Sequence, residues 1–280
     1  MAVVRLLLSV MAIALATVAM THAQTAAPPA VPPTENPAEG KSYAAAIDTR
    51  DPAKRAQALE VFIAWYPNSI LRVAAHEQLM AAWQAASNPA KADAVAAKLL
   101  QIEPDNLRAL ANRVYVGRTR VASGDIAALQ PAVAAAERGL SVLSRLQRPQ
   151  DVDERAFMRL KFQYIAVFNG MLGYAALQQK DYARARRLLA DAVAVDPENL
   201  QDVYQLAVAQ LEGTPLDALG FWYGARAVAI SRAAKNEQAA AGIEKYVRAR
   251  YRIYRGSERS EEHTSELPVT VNNLVCRLLL

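Results

Sequence analysis

The stretch Leu172–Asn199, LGYAALQQKDYARARRLLADAVAVDPEN, constrains this chain more than any other. Leu172, Gly173 and Ala176 repeat at helical spacing, as do Ala185, Leu189 and Ala192. Residues three and four apart share one helix face, so each set makes a packing stripe. The polar step Gln179-Lys180-Asp181 separates the two patterns, and Asp196-Pro197 ends the second. Proline cannot continue a helix and turns its predecessor away from helical angles. The stretch therefore predicts two short antiparallel helices whose small residues allow a close approach.

The same break occurs upstream, where Glu103-Pro104-Asp105-Asn106 parallels Asp196-Pro197-Glu198-Asn199. Before it, residues 70–86 and Pro89 to Ile102 predict another hairpin. Asn88 is placed to cap its second helix, with Pro89 at the first helical position. The spacing of Leu, Gly, Ala, Leu, Ala and Pro resembles the tetratricopeptide repeat (TPR), a helical hairpin of roughly 34 residues. Asn169 and Ala176 stand where the repeat usually carries aromatics. The resemblance implies an all-α, TPR-like α-solenoid of antiparallel hairpins, with breaks near Pro67, Pro104 and Pro197, and, counted back from Pro104, it places Leu79, Trp83, Ala92, Ala96 and Leu99 at packing positions. Composition agrees: the chain is 53% hydrophobic, with alanine supplying much of that fraction, which favours close-packed helices over sheets.

Further helices are expected at residues 53–66, 107–122, 126–146, 152–178, 200–211, 216–233 and 236–255. Pro131 falls in the first turns of the third of these, the helix 126–146, which is longer than a repeat helix. Gly220 and Gly224, one turn apart, predict a close helix crossing. The last helix reads as a solvated cap, which solenoids need at their ends.

The termini read differently. Residues 1–23 have the pattern of a signal peptide: Arg5, an apolar core from Leu6 to Met20, and a small-residue exit at Ala23. An uncleaved membrane anchor is the alternative. Residues 24–40, rich in Pro and Ala, read as a disordered linker, and 41–258 as the repeat domain. The strings RSEEHTSEL and LVCRLLL within 259–280 resemble in-frame translations of a sequencing adapter, so this tail is set aside, and the natural chain is expected to continue past Glu258.

Without the signal and the tail, the chain keeps one histidine, His76, and no cysteine. Cysteine catalysis, disulfides and Cys/His zinc sites are then excluded within that part. His76 lies at a packing position. No G-x-S-x-G, S-x-x-K or phosphate-cradling glycine loop occurs. No cofactor and no metal site is expected. The net charge of +5 comes from interleaved charges, so nucleic acid is not the expected partner.

The reading is an exported, non-enzymatic scaffold for protein or peptide ligands, periplasmic or secreted, in a setting such as cell-envelope assembly. The alternative is the helical superhelix of a truncated peptidoglycan-acting enzyme. The family places its groove stripe at repeat positions two, five, nine and twelve. Counted from Pro104, these positions give Glu77, Gln84, Arg108, Tyr115 and Arg118. Counted from Pro197, they give Tyr174, Gln201 and Tyr204. Tyrosine offers broad contact area and arginine a directional fork for carboxylates, a surface suited to an extended acidic peptide.

Overall fold

The computed structural model describes residues 37–257, so the expected signal, most of the expected linker and the tail lie outside the described residues. Eleven α-helices and one 3₁₀ turn follow one another, with no strand among the described residues. They fall into two compact units. The N-terminal unit holds α1 (Pro37–Ile47), α2 (Pro52–Trp65), α3 (Arg72–Ala85), α4 (Pro89–Ile102), nearly all of α5 (Leu107–Ala122), the 3₁₀ turn (Ile126–Ala128) and α6 (Leu129–Arg145). The C-terminal unit holds α7 (Glu154–Gln178), α8 (Tyr182–Val195), α9 (Leu200–Glu212), α10 (Leu219–Ala233) and α11 (Glu237–Ser257). The expected all-α hairpin architecture is present, and the helices stop at Trp65, Ile102 and Val195, just before the three prolines.

One turn chemistry recurs. At Asn88, Asp125, Asp181 and Asn236 the backbone N–H reaches five residues back, to the carbonyls of Trp83, Arg120, Ala176 and Ser231, at 2.9 Å each. The residue before each is left-handed: Ser87, Gly124, Lys180 and Lys235 have φ of 55°, 101°, 62° and 56°. This is the bond pattern that satisfies the last carbonyls of a helix. In three of the four, the Asn or Asp then caps the next helix: Asn88 Oδ1 accepts from Lys91 N–H, Asp181 Oδ1 from Arg184 and Asn236 Oδ1 from Ala239. At the other breaks Asp51, Asn106, Asp153 and Asn199 cap the following helices in the same way.

Two cores result. In the N-terminal unit Leu59, Phe62, Leu71, Leu79, Trp83 and Leu99 are buried together. In the C-terminal unit Leu189, Leu206, Leu211, Phe221, Ile243 and Val247 form the centre. The predicted glycine crossing divides between two neighbours. A Cβ on Gly220 would lie 2.6 Å from Leu211 of α9, and one on Gly224 would lie 2.5 Å from Val247 of α11.

Four boundaries differ from expectation. The linker ends earlier, because Pro37–Gly40 form the first turn of α1, where Glu39 accepts a hydrogen bond from the Ser69 hydroxyl. Residues 70–71 are a turn before α3, held by Ser69 Oγ accepting from Leu71 N–H at 2.9 Å. The predicted helix 126–146 is a 3₁₀ turn followed by α6, with Pro131 in the first turn of α6, where an N–H would lack a helical acceptor in any case. α10 starts at Leu219, whose N–H is taken by Asp217 Oδ1 at 3.0 Å.

Candidate functional site

In the N-terminal unit the predicted groove residues come from α3 and α5, and the structure connects them through a polar line. Glu77 of α3 meets Arg108 of α5 at 3.2 Å, with the Arg108 side chain 57% exposed and that of Glu77 22%. Asn106, capping α5, donates to Glu77 Oε1 at 2.7 Å and to Glu103 Oε2 at 2.8 Å. Two helical turns further along α3, Gln84 Nε2 donates to Asn112 Oδ1 at 2.6 Å. Tyr115 and Arg118 lie half-buried on α5, seven and ten residues beyond Arg108, and so on its side of the helix. The charges are paired and held in place, yet the guanidinium of Arg108 stays open to solvent.

Glu77 also acts on its surroundings. Burial pushes the Tyr43 hydroxyl of α1 above its ordinary pKa, and the Glu77 carboxylate adds to the shift. Tyr43 thus stays a neutral donor and acceptor beside this line.

The C-terminal unit departs from the predicted stripe. Tyr174, Gln201 and Tyr204 are all buried, at 9%, 8% and 6% exposure, and offer no free surface. For Tyr204 the cause is α11, which the sequence presented as a solvated cap. Tyr246 of α11 meets the Tyr204 ring edge-on at 6.0 Å and donates its hydroxyl to Glu212 at 2.8 Å. Burial first, and then the Glu212 charge, push both tyrosine hydroxyls well above their usual range. Arg250 of α11 donates to the Leu211 carbonyl, favourable at a helix C-terminus.

Asn106 and Asn112 escaped the sequence reading of the site. Asn106 had a signal, since an Asn closes both Pro-containing breaks. Asn112 had none: it is 1% exposed, and its bond to Gln84 joins residues 28 apart.

A separate open cleft of about 700 Å³ in the same unit is lined by residues including Leu110, Arg113, Pro131, Arg138 and Arg145. Asp105 spans it, accepting from Arg138 at 3.0 Å and from Arg145 at 2.5 Å. The hydrogen bond from Arg138 is the main reason that its carboxyl sits below the ordinary carboxylate pKa, with the charge of Arg145 adding to it. Arg113 pairs with Asp93 at 2.8 Å. This cleft is internally neutralised and reads as a brace between α6 and the α4–α5 turn.

His76 is buried, with Nδ1 2.7 Å from the Arg72 carbonyl, and desolvation lowers its pKa. Among the described residues no group of three His, Cys, Asp or Glu side chains could hold a metal ion. No helix among them is long and apolar enough to cross a membrane.

The helices and the open polar face of α3 and α5 define a TPR-like helical-hairpin scaffold. No protein-family model and no curated protein matches the chain. Solved structures with similar helical arrangements include the MamA protein, at 14% identity and a TM-score of 0.46, covering 69% of this chain and 93% of that one. PilF of Pseudomonas aeruginosa follows at 14% identity and 0.41, covering 79% and 99%. The TPR2AB domain of yeast Sti1, solved in a complex with pHSP90, shows 12% identity and 0.25, covering 87% and 96%. None reaches a TM-score of 0.5, so the fold assignment stands on the helices, turns and caps described above.

Proposed function

We propose that this chain is an exported, non-catalytic scaffold whose N-terminal unit binds an extended acidic peptide along α3 and α5. The observation that carries the reading is the exposed Arg108 guanidinium, oriented by Glu77 and followed on the same helix by Tyr115 and Arg118. An oriented guanidinium offers two parallel N–H bonds to a carboxylate, and its own carboxylate partner keeps it from collapsing onto the surface. Export follows from the N-terminal sequence pattern, and cleavage at Ala23 would release the scaffold outside the cytoplasm.

The test is capture of partners by the full chain and by an Arg108→Glu, Arg118→Glu double variant, followed by titration with extended acidic peptides. Glu77 keeps its bond from Asn106 in that variant, so the fold should survive, as circular dichroism would show. Because the reversed charge at 108 stands beside Glu77, an Arg108→Ala, Arg118→Ala variant serves as a second form. Loss of a well-placed interface arginine typically costs ~2 kcal/mol or more, roughly thirtyfold in affinity. Unchanged affinity in both folded variants would refute this groove.

A further inference from the structure

We propose that two copies of this chain associate weakly through the N-terminal half of α7, antiparallel across a twofold axis beside Phe157 and Met158. The first ground is the length of α7. It has 25 residues against 14 in α8, its hairpin partner. Its second half, from Phe168 to Ala176, is buried. Its first half extends past what α8 can cover, by about 16 Å at 1.5 Å per residue.

The second ground is what that half carries. Met158, Leu160, Phe162 and Val167 are 37%, 50%, 45% and 36% exposed. Phe157 and Ile165 beside them are half-buried. On a helical wheel Val167, Leu160, Phe157, Ile165, Met158 and Phe162 occupy an arc of about 220°, far wider than the stripe of a surface helix. Exposed apolar surface of this extent, interrupted on the arc only by Glu154 and Lys161, marks an interaction site.

The third ground selects the occupant. Glu154, Phe157, Met158 and Lys161 follow at intervals of three, one and three, and so share one face. The face reads acid, apolar pair, base, and Glu154 and Lys161 lie two turns apart, about 11 Å. An antiparallel second copy reverses that order. Glu154 of each copy then meets Lys161 of the other, and Phe157 of each meets Met158 of the other. This is the self-complementarity that a twofold interface requires. Among the described residues neither Glu154 nor Lys161 forms an ion pair within its own chain, whereas the neighbouring Asp153 is occupied as the α7 cap. Two facing segments of about two to three turns bury less than the ~1,200 Å² of standard specific interfaces, so the dimer is weak.

The test is sedimentation equilibrium of the full chain over a concentration series, in low and high salt. The expected result is a monomer–dimer equilibrium that weakens with salt, as exposed charge pairs do. Lys161→Glu alone and Glu154→Lys alone each place like charges together twice per dimer and should weaken it at least tenfold. The combined exchange, Glu154→Lys with Lys161→Glu, restores both pairs and should return the affinity to within about threefold of the original. Circular dichroism confirms that each variant is folded. A chain that stays monomeric, single variants that leave the constant unchanged, or a combined exchange that fails to restore it would each overturn the proposal. Association through the apolar N-terminal segment gives the second of these outcomes, and binding of a different protein on this face gives the first.

Discussion

Gly173→Ala tests the closest helix contact in the C-terminal unit. A Cβ at this position would stand 2.6 Å from Leu189 Cγ, 3.0 Å from its Cδ2 and 3.3 Å from its backbone nitrogen. Carbon atoms in contact prefer about 3.5–4.0 Å, so the methyl group is about 1 Å too close. Leu189 is fully buried and has no open side to move toward. Either it leaves its rotamer or α7 and α8 separate. Overpacking of this kind typically costs ~1–3 kcal/mol, and this contact, with backbone behind the side chain, belongs in the upper half. Alanine is the better helix former by about 1 kcal/mol, which offsets part of the cost. The expected net loss is ~1–2 kcal/mol. Leu189→Ala alone should cost ~3 kcal/mol by opening a cavity. Together the two should cost less than their sum by about 1–2 kcal/mol, because the new methyl enters the vacated space. Urea unfolding followed by far-UV circular dichroism measures all three, with the slope checked for constancy. A neutral or stabilising Gly173→Ala, or strict additivity in the pair, would refute the packing argument.

Other consequences follow from single residues. Asn106→Ala removes the α5 cap and the donor to Glu77 and Glu103, and should cost ~2–3 kcal/mol in urea unfolding. Asn106→Asp keeps the cap but sets a third carboxylate beside those two, so its deficit at neutral pH should shrink on acidification toward pH ~4. Lys180→Gly relieves a left-handed side chain at φ 62° and should stabilise the α7–α8 hairpin by ~0.5–1 kcal/mol, seen as a raised urea midpoint. His76 has a folded-state pKa below its ordinary 6.5, so the unfolded chain binds the proton first as pH falls. Its contribution is therefore complete above pH 6.5 and is lost as pH falls toward the folded-state value. Between pH 7 and 5 the urea midpoint should fall in the native chain and fall less in His76→Gln.

The helices were legible in the sequence because the signals that make them are local. A proline ends a helix through its own ring, an Asn or Asp caps through a neighbour three residues on, and a packing stripe repeats within one turn. Hence Pro89, Asn88, Gly173 and Leu189 could be placed from spacing alone, and Leu107–Ala122 matches its predicted bounds. Glu77 and Arg108 were singled out only through the repeat register that the resemblance implies, counted from Pro104, and their pairing appears in the structure alone. The tertiary structure decided what those intervals cannot contain. Tyr204 lost its place in the groove because Tyr246, on a helix two elements later, packs against it. Asp105 became a brace because α6 brings in Arg138 and Arg145, 33 and 40 residues away. Such contacts depend on the offset and rotation between helices, which are set by the summed packing of both faces and leave no periodic trace in either helix alone.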